Sequence, residues 1–292
     1  MFLHKNERLT RYLFTLPALV FVTAMVIFPV IYTVVLSFTK WSMAGAPKIV
    51  FFKNYINMFT DSRFLNAFLR TLIFSTFALL FELILGTSIA LLLNRDFFGR
   101  SLIKTFFLLP MVATPVSIGL VWMLIYEPTF GIANTVLGLI GLQNLPLWLG
   151  SPDTVLMSLI IIDVWQWTPM ITLIVLAGLA ALPNEPIESA HVDGAKRHQV
   201  VFNIILPMIL PTVVVAGLLR LIDALKTFDI IYATTQGGPT FSSETLNILT
   251  FINAFQYFDI GYASAMLVIF FMVVLFLSLW VGKLRNSVRV DF

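Results

Sequence analysis

Six stretches of this chain, at about 12–36, 71–94, 105–126, 154–182, 205–222 and 261–282, are each long and apolar enough to cross a bilayer. A hydrocarbon core about 30 Å thick takes about 20 such residues as a helix. Lipid offers no hydrogen bonds, so a spanning backbone must satisfy itself, as helices or closed barrels do. The stretches are apolar all round rather than striped, so length and flanking charge carry the assignment. They predict an all-α, polytopic membrane protein with six transmembrane helices. Composition agrees: 59% of residues are hydrophobic and 11% charged, where a soluble domain carries roughly 25% charged residues.

Lys and Arg near the ends of spans set orientation. With the N-terminus inside, Lys5, Arg8, Arg11, Arg95, Arg100, Lys104, Lys196, Arg197, Lys283, Arg285 and Arg289 fall on the cytosolic side. Lys40, Lys48, Lys53, Arg63, Arg70, Arg220 and Lys226 fall outside, and the loop from Glu127 to Asp153 holds no basic residue. The bias predicts cytosolic termini at 1–11 and 283–292 around a membrane domain at 12–282. The uncharged run from Tyr12 to Thr39 is too long for a signal-peptide core and lacks a small-residue cleavage site, so it reads as a retained first span. Absence of cysteine rules out disulfides, iron–sulfur clusters and thiol nucleophiles. No basic stripe of a nucleic-acid binder is present, and no internal repeat supports an inverted-repeat transporter.

The segment from Pro183 to Pro207, between spans four and five, is the most specific in the chain. Pro186 is acceptable in a first helical turn, and Glu185 and Glu188 sit near that helix's positive end. Gly194 supplies the backbone freedom that ends the helix and turns the chain. A second helix from Ala195 starts polar, at Lys196, Arg197 and His198, and becomes apolar through Val200, Phe202 and Ile204. Two short helices joined at a corner can transmit force where a flexible loop cannot.

This segment resembles the EAA loop of binding-protein-dependent ABC importers: Glu188, Ala190, Gly194, Ile204, Leu206 and Pro207 fall on its pattern at the right spacing. Ser189 replaces the first alanine and is small enough for the same contact. The stretches Phe228 to Leu246 and Ala254 to Met266 are similar to the sugar-importing branch, in the subunit type of the first permease of the maltose and glycerol-phosphate systems. The resemblance implies the type I importer permease fold in a bacterial or archaeal cytoplasmic membrane. It implies docking of an ABC ATPase on Glu188, Ser189, Ala190, His191, Asp193, Gly194, Ala195, Leu206 and Pro207. The implied partners are a second permease subunit in a heterodimer, two ATPase copies and an external solute-binding protein. ATP and Mg would be bound by the ATPase partner, with no cofactor in this chain.

Ionisable groups inside spans are costly and are functional candidates. Asp163 lies in span four just before Trp165, Gln166 and Trp167. Aromatic faces pack on sugar rings while carboxylates and amides take hydroxyls, so the cluster suits carbohydrate. Equally, the tryptophans could form an interfacial belt and Asp163 a hydrogen bond between helices. Glu82, in span two, fits packing or a subunit contact. Arg220, Asp223, Lys226 and Asp229 alternate in sign at a spacing of three, which allows either mutual pairing along a helix end or contact of Asp223 and Lys226 with solute.

No G-x-x-x-x-G-K-[ST] loop, H-E-x-x-H or metal-ligand spacing occurs, and no nucleophile lies beside a base. The chain reads as a non-catalytic subunit whose nucleotide chemistry comes from elsewhere. The rival expectations are an importer permease for another solute, such as an amino acid, peptide or phosphate, and a stand-alone secondary transporter or membrane enzyme.

Overall fold

Thirteen helices and one short hairpin make up the described part of a computed structural model, which covers residues 3–43 and 45–287. Side chains are described over 12–43 and 45–283, so those of Lys5, Arg8, Arg11, Arg285 and Arg289 lie outside the described residues. Internal packing divides the chain into two compact units. The first holds the residues up to Ser62 and Thr250–Phe271; the second holds Arg63–Leu249 and the residues from Met272.

In the first unit, helix α1 (Leu3–Ser37) carries the first span, Tyr12–Ser37, of which 6% is buried. A helix so apolar and so uncovered meets lipid or another protein. Strands β1 (Thr39–Lys40) and β2 (Lys48–Ile49) pair antiparallel beneath it. Helix α2 (Lys53–Thr60) is fixed there by Asn54, whose amide donates to the Ser37 and Thr39 carbonyls at 2.8 Å each.

In the second unit the long helices α3 (Ser62–Leu93), α7 (Val155–Ala180) and α10 (Leu206–Leu225) share a core of Ala90, Leu93, Ile171, Val175, Leu176, Leu179, Ile209 and Ala216. The central member is α7, with 15 of its 26 residues buried. Backbones approach closely where small residues allow it: at Gly86 an added Cβ would lie 2.6 Å from Ile171 Cγ2, and Thr172 Oγ1 donates to the Gly86 carbonyl at 3.2 Å.

The expected third span, 105–126, is not one straight helix. It is a pair, α4 (Arg100–Val112) and α5 (Pro115–Ile125), bent by 102°. Pro115 cannot donate into the preceding turn, and Thr114 Oγ1 accepts from the Ser117 amide at 3.3 Å, which starts α5 afresh. The carbonyl freed at Ala113 is taken by Gln166 Nε2 of α7 at 3.3 Å. Counting the pair as one span, there are six candidate spans by length and composition among the described residues. Helix α6 (Ile132–Leu139) lies in the following loop.

Beyond α7 comes α8 (Glu185–Val192), then α9 (Arg197–Val200), which runs through a π-helical turn (Val201–Ile205) into α10. The expected fifth span, 205–222, is thus longer at both ends, at Arg197–Leu225. After α11 (Asp229–Thr234), residues ahead of α12 (Leu246–Phe251) are anchored by Glu244, which accepts from Arg63 at 2.9 and 2.7 Å. A second π-helical turn (Ile252–Gln256) precedes α13 (Ile260–Ser287), the last span.

Candidate functional site

Three ionisable residues from three different spans meet inside the second unit. Arg220 of α10 is buried; its Nε lies 2.7 Å from Glu82 Oε2 on α3, and its Nη2 donates to Asp163 Oδ2 on α7. The guanidinium carbon stands 5.3 Å from the centre of the Trp167 ring. An isolated charge here would be prohibitive, and pairing is what permits burial. This changes the reading of two residues. Arg220 does not pair along its own helix with Asp223, because a buried carboxylate on each neighbouring helix holds it in an ion pair. Glu82 is fully buried, so within this chain it serves an ion cluster.

Beside the trio is a cavity of about 260 Å³ lined by Pro115, Asp163, Gln166, Trp167, Arg220, Asp223, Lys226, Thr227, Phe228, Asp229 and Ile230. Residues 163, 166 and 167 share a helix face at spacings of three and four. Trp165, two positions from Asp163, points away: it is 44% exposed, meets Trp122 edge-on at 5.7 Å, and lines a separate apolar groove. Helical geometry therefore removes Trp165 from the expected polar cluster. The other five residues named as solute contacts, Asp163, Gln166, Trp167, Asp223 and Lys226, all line the cavity.

The cavity's wall is chemically unfinished. Gln166 is buried, and with its amide nitrogen committed to Ala113, its Oε1 has no hydrogen-bond partner among the described residues. Buried polar atoms are normally satisfied. Arg220 uses Nε and Nη2 on Glu82 and Asp163, which leaves Nη1 without a partner among the described residues. Lys226 and Asp223 sit at the mouth 3.5 Å apart, each about half exposed. Residues carrying an unpaired acceptor, an unpaired donor and an indole thus line one small space.

The segment at 183–207 forms the anticipated elbow. Pro186 stands in the first turn of α8 with Glu185 and Glu188, and the helix has no buried residue. It ends in a Schellman arrangement: Ala195 N–H donates to Ala190 O at 2.9 Å and Gly194 N–H to His191 O at 3.1 Å. That closure needs the left-handed backbone of Gly194, φ +79°. Lys196 N–H donates to Gln199 Oε1 at 2.8 Å and opens α9, so the corner is stiff on both sides. Val192, at the end of α8, is 88% exposed. An apolar side chain so uncovered on an exposed helix marks a contact surface.

Residues 82–289 match the family described as the binding-protein-dependent transport system inner membrane component. The chain belongs to that family. The permease is 38% identical over 268 residues to a probable ABC transporter permease of Sinorhizobium fredii, covering 91% of this chain and 86% of the relative. It is 35% identical over 281 residues, 94% of either chain, to the trehalose/maltose transport system permease protein MalF of Thermococcus litoralis. Its fold resembles a chain of a bacterial ABC transporter involved in import of the acidic polysaccharide alginate, with a TM-score of 0.85, 22% identity and 98% of each chain covered. The permease is therefore a multi-pass membrane subunit of an ABC importer, with the type I permease fold.

Sequence reasoning named Glu82, Asp163 and Arg220 separately and did not join them. The signal was present: they are the ionisable residues of spans two, four and five, with opposite signs. Thr227, Phe228 and Asp229 were missed as cavity walls, since only the fold brings the start of α11 beside α7.

Proposed function

We propose that this permease carries a carbohydrate across the cytoplasmic membrane by alternating access, using the cavity beside Arg220 as its solute contact. The observation that carries this reading is that Gln166, whose buried Oε1 is unsatisfied, lines the same cavity as Arg220 and Trp167. A sugar hydroxyl donates and accepts at once, and so completes both groups; the indole covers the ring's C–H face. Support comes also from the Thermococcus relative, named for trehalose and maltose.

The elbow is assigned to coupling. Helix α8, exposed and capped, seats in a cleft of a cytosolic ATPase through Glu188, Ser189, Ala190, His191, Asp193, Gly194 and Ala195, with Leu206 and Pro207 fixing the elbow to α10. Closure of two ATPase copies around ATP and Mg then moves α10, and with it Arg220 and one wall of the cavity. The assembly pairs this chain with a second permease, takes solute from an external binding protein, and has both termini of this chain in the cytosol.

Uptake by the reconstituted complex tests the solute site. Asp223→Ala is expected to leave assembly normal and raise the uptake KM several-fold, whereas Asp163→Ala, which orphans Arg220, lowers the yield of assembled permease. Unchanged KM in Asp223→Ala, with normal assembly, removes the cavity from the pathway. Transport by this chain with no ATPase present contradicts the reading as a whole.

A further inference from the structure

Taking the cavity as the solute site, as proposed above, we infer that it accepts uncharged or cationic polyhydroxy solutes and discriminates against anionic ones such as uronates. The wall has two cations, Arg220 and Lys226, and three carboxylates, Asp163, Asp223 and Asp229. Glu82 stands one layer behind, against Arg220 Nε, as a fourth carboxylate. Four negative groups face two positive ones. Outside the buried trio the count is two carboxylates, Asp223 and Asp229, against one cation, Lys226.

Neither cation is free to meet an anion. Arg220 is held by Asp163 and Glu82 and is itself buried. Lys226 has Asp223 at 3.5 Å and stands half in water, where its charge is screened. Asp229, exposed at the start of α11, has no ion pair among the described residues. Recognition of a carboxylate or phosphate by guanidinium relies on two parallel hydrogen bonds from one fork. Here the Nε–Nη2 edge of the guanidinium is already divided between Glu82 and Asp163, so its charge is compensated before any solute arrives. Its Nη1 hydrogens remain to meet a hydroxyl, while the surplus negative charge of the lining, carried at the rim by Asp229, repels an anion. Glu82 is thus a specificity residue that never touches solute: it neutralises Arg220 and leaves it a hydrogen-bond donor.

The test uses the assembled transporter in lipid nanodiscs without binding protein, titrated with maltose and with digalacturonate at low ionic strength. The signal is the tryptophan fluorescence change that disappears in Trp167→Phe. Maltose is expected to bind about tenfold or more tightly than digalacturonate, the scale of one nearby unit charge, and added salt narrows the gap. Glu82→Gln narrows it as well. Because Glu82 is buried and its variant can assemble poorly, Asp229→Asn at the exposed rim provides a second variant with the same expected direction. Digalacturonate binding as tightly as maltose, or a gap indifferent to salt and to Asp229→Asn, overturns the inference and leaves the carbohydrate site standing. Silence of both sugars at Trp167 overturns the site itself, and the inference with it.

Discussion

Arg220 sits where a single charge decides whether three helices hold together. Its carboxylate partners come from α3 and α7, and truncating one member of such a cluster leaves a buried charge unpaired, at a cost of about 3–5 kcal/mol. Arg220→Ala is therefore expected to lower the thermal midpoint of the purified permease. The triple change Arg220→Met, Glu82→Gln and Asp163→Asn recovers most of that loss while leaving uptake impaired, since it removes the charges but also a cavity donor. A triple variant as unstable as Arg220→Ala would mean that packing rather than charge holds the site. At this scale the sequence exposed the identities of the three residues. It hid their partnership, because pairing depends on rotation of each helix about its axis and these spans are apolar all round. Trp165 shows the same limit from the other side: adjacent to Gln166 in sequence, it faces a different environment.

The elements divide by how local their causes are. The elbow was legible nearly residue by residue, since Pro186, the acidic first turn, Gly194 and the polar-to-apolar gradient of α9 all act within a few positions. Gly194 is the point at which that local chemistry becomes mechanical. Its φ of +79° is strained for any L side chain, and nothing lies within 4 Å of where a Cβ would stand. Gly194→Arg is thus expected to insert and assemble normally in the membrane yet abolish ATP-dependent uptake, as measured in proteoliposomes; retained transport would count against docking by α8. The bend between α4 and α5 was less legible. Pro115 stands at the break, but a 102° turn in lipid also needs an amide from another span, and Gln166 supplies it. The hydrogen bond that permits the break also orients the side chain whose other end lines the cavity.

For the molecule as a whole, the sequence was informative about class and silent about company. Length and hydropathy of the spans dictated a polytopic helical membrane protein, and the family match bears out the importer fold. What covers α1, and what sits against Val192, are properties of an assembly rather than of one chain, so no pattern within 292 residues displays them. The central claim is that the elbow lies in the cytosol and carries force from an ATPase to α10. The protein has no cysteine, so a single Val192→Cys substitution gives one reactive thiol at the most exposed apolar point of α8. Cross-linking from that thiol in inside-out membrane vesicles, with ATP and without, is the most direct measurement. The account predicts a covalent product with the ATPase subunit whose yield changes with nucleotide, and no labelling by an impermeant thiol reagent added to the outside of intact cells. Labelling from outside, or a cross-link to no nucleotide-hydrolysing subunit in the assembled complex, would contradict it.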